Sequence, residues 1–228
     1  MRILLLLLLA LHLPARAEGP LRVAVAANFR ATLEQINDLY RKETGQPVVL
    51  SSASTGVLAS QVIHGAPFHL FLAAESEAPA LLHERGLGEA PFCYARGELI
   101  LLGGSAQALA DPDQSLAIAN PETAPYGRAA QHILRREEFR AADGRKLVRG
   151  NNVLQAFQFW RSGTVDLALV ARSLAADAGT ALPTDWYLPL EQHAIVLRPH
   201  PGLAAYLELL GSDRVRSLIL DAGYLSCP

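Results

Sequence analysis

Short apolar runs alternate with stretches of helical periodicity along most of this chain. Residues 21–27 are almost continuously apolar, which suits a strand buried in a parallel sheet. Leu33, Ile36, Leu39 and Tyr40 then recur at helical spacing and predict a helix over 31–42, ended by Gly45-Gln46-Pro47. The same alternation predicts a strand at 47–51, a helix at 56–64 closed by Gly65-Ala66-Pro67, a strand at 68–73 and a helix at 77–85 stopped by Gly86. Further along, strands are expected at 98–102, 116–119, 146–149 and 166–171, and helices at 128–136 and 154–161. Phe157 and Trp160 stand at core spacing in the last of these. A strand at 193–198 leads to two terminal helices, 203–210 and 213–222, with Ser212 placed as an N-cap and Gly223 as a C-terminal stop. Strands interleaved with helices indicate an α/β fold. The strands at 98–102 and 193–198 are candidate crossovers between two lobes.

The first residues follow a different pattern. Arg2 precedes an apolar run over 3–13, and Ala15-Arg16-Ala17 fits the small-x-small cleavage rule. An export leader over 1–17 is expected, with the mature chain starting at Glu18. The run is shorter than the roughly 20 apolar residues that span a bilayer, and direct membrane insertion is not expected. Cys93 and Cys227 are the two cysteines. Neither follows the leader, so no thiol stands there to carry a lipid. An oxidising compartment permits them to pair, or they remain two isolated thiols. The remaining length suits two lobes of about 100 residues: lobe I from 18–97 and 195–228, lobe II from 98–194. The net charge is −2, and losing Arg2 and Arg16 with the leader makes it −4. A mildly acidic chain without Lys/Arg runs is a poor nucleic-acid binder. Any anion site here has to work by local geometry.

Four strand-to-helix junctions offer such geometry: Ala26-Ala27-Asn28-Phe29, the Ser/Thr-rich segment 51–56, the segment 120–127 and Gly150-Asn151-Asn152-Val153. Each puts small polar side chains or free backbone N–H groups just before a helix. The first turn of a helix has four N–H groups without intrahelical partners, and the helix dipole adds partial positive charge. Together they bind anions without a cationic side chain, and in open α/β sheets ligands sit at this edge. Taken alone, any one junction is better explained as an ordinary N-cap. Recurrence in both halves of an exported chain favours a ligand. His64, His69, His83, His132, His193 and His200 lack metal-ligand spacing, so no metal or cofactor site is expected. Glu75 and Glu77 suit solvated or capping roles, residues 135–138 a charged helix surface, and Trp160 and Trp186 packing.

At these residues the chain resembles the periplasmic molybdate-binding proteins of molybdate importers. The segment 51–74, with its Ser/Thr-rich loop, helix, Gly-Ala-Pro and strand, is the most distinctive match; 23–29, 116–127 and 151–156 agree with it. The resemblance implies a two-lobe periplasmic-binding-protein fold, each lobe a mixed, mostly parallel sheet flanked by helices, with the ligand between the lobes. It implies molybdate or tungstate as ligand, an inner-membrane ABC permease as partner, and a monomer without enzymatic activity. By position it places Asn28, Thr55 with Ser54 as the alternative hydroxyl, Tyr126 and the Val153 N–H around the oxyanion. Ala171 stands where other members carry a tyrosine, and Ala-Ala-Glu75 replaces the usual Ser-Ala-Asp. A binder of sulfate, thiosulfate or a phosphonate is the alternative within the class. More remote are an exported hydrolase using Ser54, which would need a nearby base, and a ligand-sensing domain.

Overall fold

A computed structural model describes residues 19–175 and 178–228. The expected leader and its cleavage point lie outside the described residues. The chain forms two five-stranded sheets, one in each lobe.

Lobe I opens with β1 (Leu21–Ala26), α1 (Arg30–Thr44), β2 (Val48–Ala53), α2 (Thr55–Ile63), β3 (Leu70–Leu72), α3 (Glu77–Glu84) and β4 (Phe92–Gly97). Glu98 then carries the chain into lobe II, made of β5 (Leu99–Leu102), β6 (Leu116–Ala119), α4 (Pro125–Leu134), β7 (Leu147–Gly150), α5 (Val153–Arg161), β8 (Leu167–Ala171) and the short β9 (Thr180–Ala181). β10 (Leu190–Val196) returns to lobe I, followed by α6 (Leu203–Leu210) and α7 (Asp213–Asp221). Residues 190–194, expected in the second lobe, therefore belong to the first sheet.

The strand orders are β2-β1-β3-β10-β4 and β7-β6-β8-β5-β9. They follow one plan. In each sheet three parallel strands, the first formed standing in the middle, are followed by an antiparallel strand and then by the edge strand. The antiparallel strand is in each case the one that enters from the other lobe. β1 buries Val23, Val25 and Leu21 against α1, α6 and α7 on one face, while Ala24 and Phe71 pack on α2 and α3 on the other. The fully buried runs of β5, β6 and β8 explain why periodicity found them so readily.

Helix ends follow the expected chemistry. Gly45 caps α1 at φ 71°, its N–H donating to the Arg41 carbonyl, and Ser212 accepts from the Val215 N–H at 3.3 Å. Three expectations are revised. β4 was absent from the strand pattern. α4 begins at Pro125 and ends at Leu134, so Tyr126 lies inside its first turn, and residues 137–142 form a separate 3-10 turn. Glu75 is neither solvated nor a cap but pairs with Arg128 of lobe II. The two cysteines are joined: Cys93 on β4 and Cys227 in the C-terminal tail form a disulfide with Cα atoms 6.0 Å apart. Among the described residues no helix is long and apolar enough to cross a membrane.

Candidate ligand site

The C-terminal ends of β1, β2 and β3 in lobe I face those of β6 and β7 in lobe II. Between β1 and β2 the register runs Val25 to Ser52 and Ala26 to Ala53, and it continues through Ala27 N–H donating to the Ala53 carbonyl at 3.0 Å. Asn28 and Ser54 thus stand at adjacent junctions. Both are buried, 2% and 3% exposed. Lobe II reaches both junctions. The Gly56 N–H in the first turn of α2 donates to the Thr123 carbonyl at 2.9 Å, and Ser173 Oγ donates to the Asn28 carbonyl at 3.2 Å. The lobes are closed on each other here. A Cβ on Gly56 would lie 3.1 Å from the Thr123 carbonyl oxygen, so a small residue suits the contact.

The two candidate hydroxyls behave differently. Thr55 Oγ1 accepts from the Ala74 N–H at 3.0 Å and ties α2 to the end of β3. Ser54 is the N-cap of α2, at φ −68° and ψ 153°, yet its hydroxyl makes no capping bond. Ser54 Oγ is buried with no hydrogen-bond partner among the described residues. A buried, unpaired hydroxyl costs about 1–3 kcal/mol, a cost that a ligand accepting its proton would remove.

Asn28 does not offer its amide hydrogens to the cleft, as had been expected. Its Nδ2 donates to Gln192 Oε1 at 2.8 Å and to the Tyr224 hydroxyl at 3.2 Å, while Oδ1 is buried and unpaired. The Tyr224 hydroxyl in turn donates to the Asn28 carbonyl at 2.8 Å. The donors left at this junction are the backbone N–H groups that open α1.

Tyr126, 1% exposed, reaches the same cluster from lobe II: its hydroxyl accepts from Gln192 Nε2 at 3.2 Å. Burial first, and then the neighbouring Tyr224 and Tyr187, hold its proton on well above the usual phenol range. Burial does the same for Tyr94, whose hydroxyl contacts Gln192 Oε1 at 2.9 Å. Val153 is the first residue of α5. Asn152 Oδ1 accepts from the Gln155 N–H at 3.0 Å, and Gln155 Oε1 accepts from the Asn151 N–H at 2.6 Å. These caps satisfy the flanking donors, and neither engages the first-turn N–H groups of Val153 and Leu154. The Val153 side chain itself packs into the lobe II core.

Asn28 and Tyr126 are thus joined through one residue that the sequence pattern passed over, Gln192. Periodicity begins the last lobe I strand at 193, but β10 begins at Leu190, and Gln192 falls on its inward face with Leu190 and Ala194. A polar residue at a core-facing strand position was the available signal. Tyr94 and Tyr224 were missed with it. The site is flanked by the Glu75–Arg128 ion pair, which joins the end of β3 to α4. Among the described residues, no group of three or more His, Cys, Asp or Glu side chains could hold a metal ion.

A model of the family described as bacterial extracellular solute-binding protein matches residues 21–225. The chain belongs to this family. Among its relatives, the molybdate-binding protein ModA of Azotobacter vinelandii is 34% identical, with 92% of this chain and 91% of that protein aligned. ModA of Rhodobacter capsulatus is 31% identical over 97% of this chain and 94% of that protein. The solved periplasmic molybdate-binding protein of A. vinelandii superposes with a TM-score of 0.80 at 30% identity, covering 91% of this chain and 100% of the other. The sulfate-binding protein SubI of Mycobacterium tuberculosis, at 12% identity and a TM-score of 0.69, shares the fold. The two-lobe periplasmic-binding-protein fold of this solute-binding protein thus agrees with the α/β architecture expected from its sequence.

Proposed function

We propose that this protein captures molybdate between its lobes in the periplasm and presents it to a membrane ABC importer. The observation that carries the proposal is Ser54: a buried, unpaired hydroxyl at a helix N-terminus, facing a second lobe already in contact. Around it the donors are neutral. They are Ser54 Oγ, the Tyr126 hydroxyl, and the opening N–H groups of α1, α2 and α5, including that of Val153. Each helix end contributes about 0.3–2 kcal/mol to an anion, and charge-assisted hydrogen bonds about 1.5–3 kcal/mol each. Neutral donors suit a fully deprotonated dianion, whereas a protonated phosphate requires an acceptor, for which the unpaired Asn28 Oδ1 is the candidate at this junction. The relatives' binding of molybdate supplies the choice of ion; tungstate, of the same charge and shape, is expected to bind as well. The leader is removed after Ala17, the mature protein acts as a monomer, and capture proceeds by closure about the two crossovers.

We read the chain as a binder because the relatives it aligns with are molybdate-binding proteins; a hydrolase using Ser54 would need a base within hydrogen-bond reach, and turnover of an ester would revive that reading. The decisive measurement is a thermal-shift panel of molybdate, tungstate, sulfate, phosphate and chromate on the mature protein. Molybdate at about 1,000 times its dissociation constant should stabilise the fold by about 4 kcal/mol. Stabilisation by sulfate or phosphate alone would reassign the ligand, and no shift with any of them would end the oxyanion assignment.

A further inference from the structure

Gln192 lies in lobe I, is fully buried, and sits where the pairing of β10 with β4 slips by one residue. Its two amide ends face opposite lobes. The oxygen is held by lobe I: Asn28 Nδ2 donates to it at 2.8 Å, and the Tyr94 hydroxyl, whose one proton is shared with the Ala73 carbonyl at 3.0 Å, lies at 2.9 Å. The nitrogen is left to point across the crossover, where it donates to the Tyr126 hydroxyl of lobe II at 3.2 Å. A phenol has one proton and can accept as well as donate. When its oxygen accepts from Gln192, its own proton is free for a third group.

We infer that Gln192 is a positioning residue that makes Tyr126 a donor to the ligand and latches that donor to lobe I when the lobes close. This rests on the oxyanion assignment above and goes beyond it in naming what orients the donor. Had residue 192 offered an acceptor toward lobe II, the Tyr126 proton would point at it, and the phenol would turn lone pairs toward an anion. Asn28 Nδ2, donating to the Gln192 oxygen, prevents that. The latch is also tied to closure, because its two ends belong to different lobes. Gly97, the last residue before the crossover, leaves room for it: a Cβ there would lie 2.7 Å from Gln192 Nε2 and closer still to the Tyr126 hydroxyl.

The test is a double-mutant cycle on the whole mature protein, using Gln192→Met, Tyr126→Phe and the pair, read by calorimetric titration of molybdate. Gln192→Met keeps the length of the side chain and removes both hydrogen-bonding groups. Each single variant should bind about ten-fold more weakly, and the double variant little worse than the weaker single, since Gln192 acts through Tyr126. A residue with a merely structural role would give losses that multiply. Multiplying losses, or wild-type affinity in Gln192→Met, would overturn the inference while leaving molybdate binding in place. Small-angle scattering of the ligand-free proteins reads the latch separately: Gln192→Met should have the larger radius of gyration. Should wild type bind no anion, the oxyanion assignment fails on its own, and equal radii of gyration would then overturn the latch.

Discussion

At the residue scale, the hydroxyl pair Ser54 and Thr55 shows what adjacent side chains of similar chemistry are used for. Thr55 Oγ1 is engaged by the Ala74 N–H, whereas Ser54 Oγ has nothing to bond. Ser54→Ala should therefore keep or raise the melting temperature of the free protein, because no capping bond is lost and an unpaired buried hydroxyl is removed. The same substitution should weaken molybdate binding about 10- to 100-fold, the worth of a charge-assisted hydrogen bond. Thr55→Ala should do the reverse in large part. It orphans a buried N–H and should cost about 1–3 kcal/mol of stability in a denaturant titration. If Ser54→Ala binds as well as wild type, Ser54 leaves the site. The sequence makes a hydroxyl donor at 54–55 legible, since Ser and Thr cluster before a helical pattern. It does not show which one, because that depends on Ala74, a residue brought to Thr55 by the parallel pairing of β1 with β3. Asn28 is the same lesson in reverse. Its place at a strand end is plain in the sequence, but its amide is consumed by Gln192 and Tyr224, more than 160 residues away.

At the scale of elements, long apolar or periodic stretches were legible and irregular ones were not. β5, β6 and β8 are buried on both faces and read as continuous apolar runs. β4 has the sequence Phe-Cys-Tyr-Ala-Arg-Gly, half-buried and pinned by partners on both sides that periodicity cannot see. β10 starts with Leu-Glu-Gln-His, whose polar residues conceal a strand and with it the buried Gln192. The starts of α2 and α4 moved toward the N-terminus for a different reason. Thr55 and Tyr126 take helical conformations in first turns, where polar side chains and Pro125 are tolerated and the apolar stripe has not begun. Gly97 ends β4 where it meets Gln192 and Tyr126. Gly97→Ala should force those side chains apart, lowering molybdate affinity about ten-fold in titration while circular dichroism stays native. Unchanged affinity would mean that the cluster relaxes around a methyl group and that its packing does not govern binding.

At the scale of the whole molecule, the Asn28 junction is held by residues near the C-terminus. Tyr224 follows α7 and the left-handed Gly223, at φ 87°, and places its hydroxyl on both the carbonyl and the amide of Asn28. It also stacks edge-on against Phe29, with ring centroids 5.2 Å apart. Three attachments hold this tail on β4: the Arg96–Leu225 bridge, Arg96 Nε donating to the Ser226 carbonyl at 2.6 Å, and the Cys93–Cys227 disulfide. The disulfide spans 134 residues of sequence, a loop that encloses all of lobe II. Cross-linking so long a loop restricts the unfolded chain, and loss of such a bond costs about 2–5 kcal/mol. For a chain of this length that is a fall of roughly 5–15 °C in melting temperature. Cys93→Ser with Cys227→Ser, or wild type under reductant, should show that fall in calorimetry. Molybdate affinity should drop as well, because a tail freed at its end holds Asn28 less firmly through Tyr224. A reduced protein that melts lower but binds as tightly would assign the disulfide to stability alone. The bridge and the Tyr224 contacts would then suffice to keep the first junction in place.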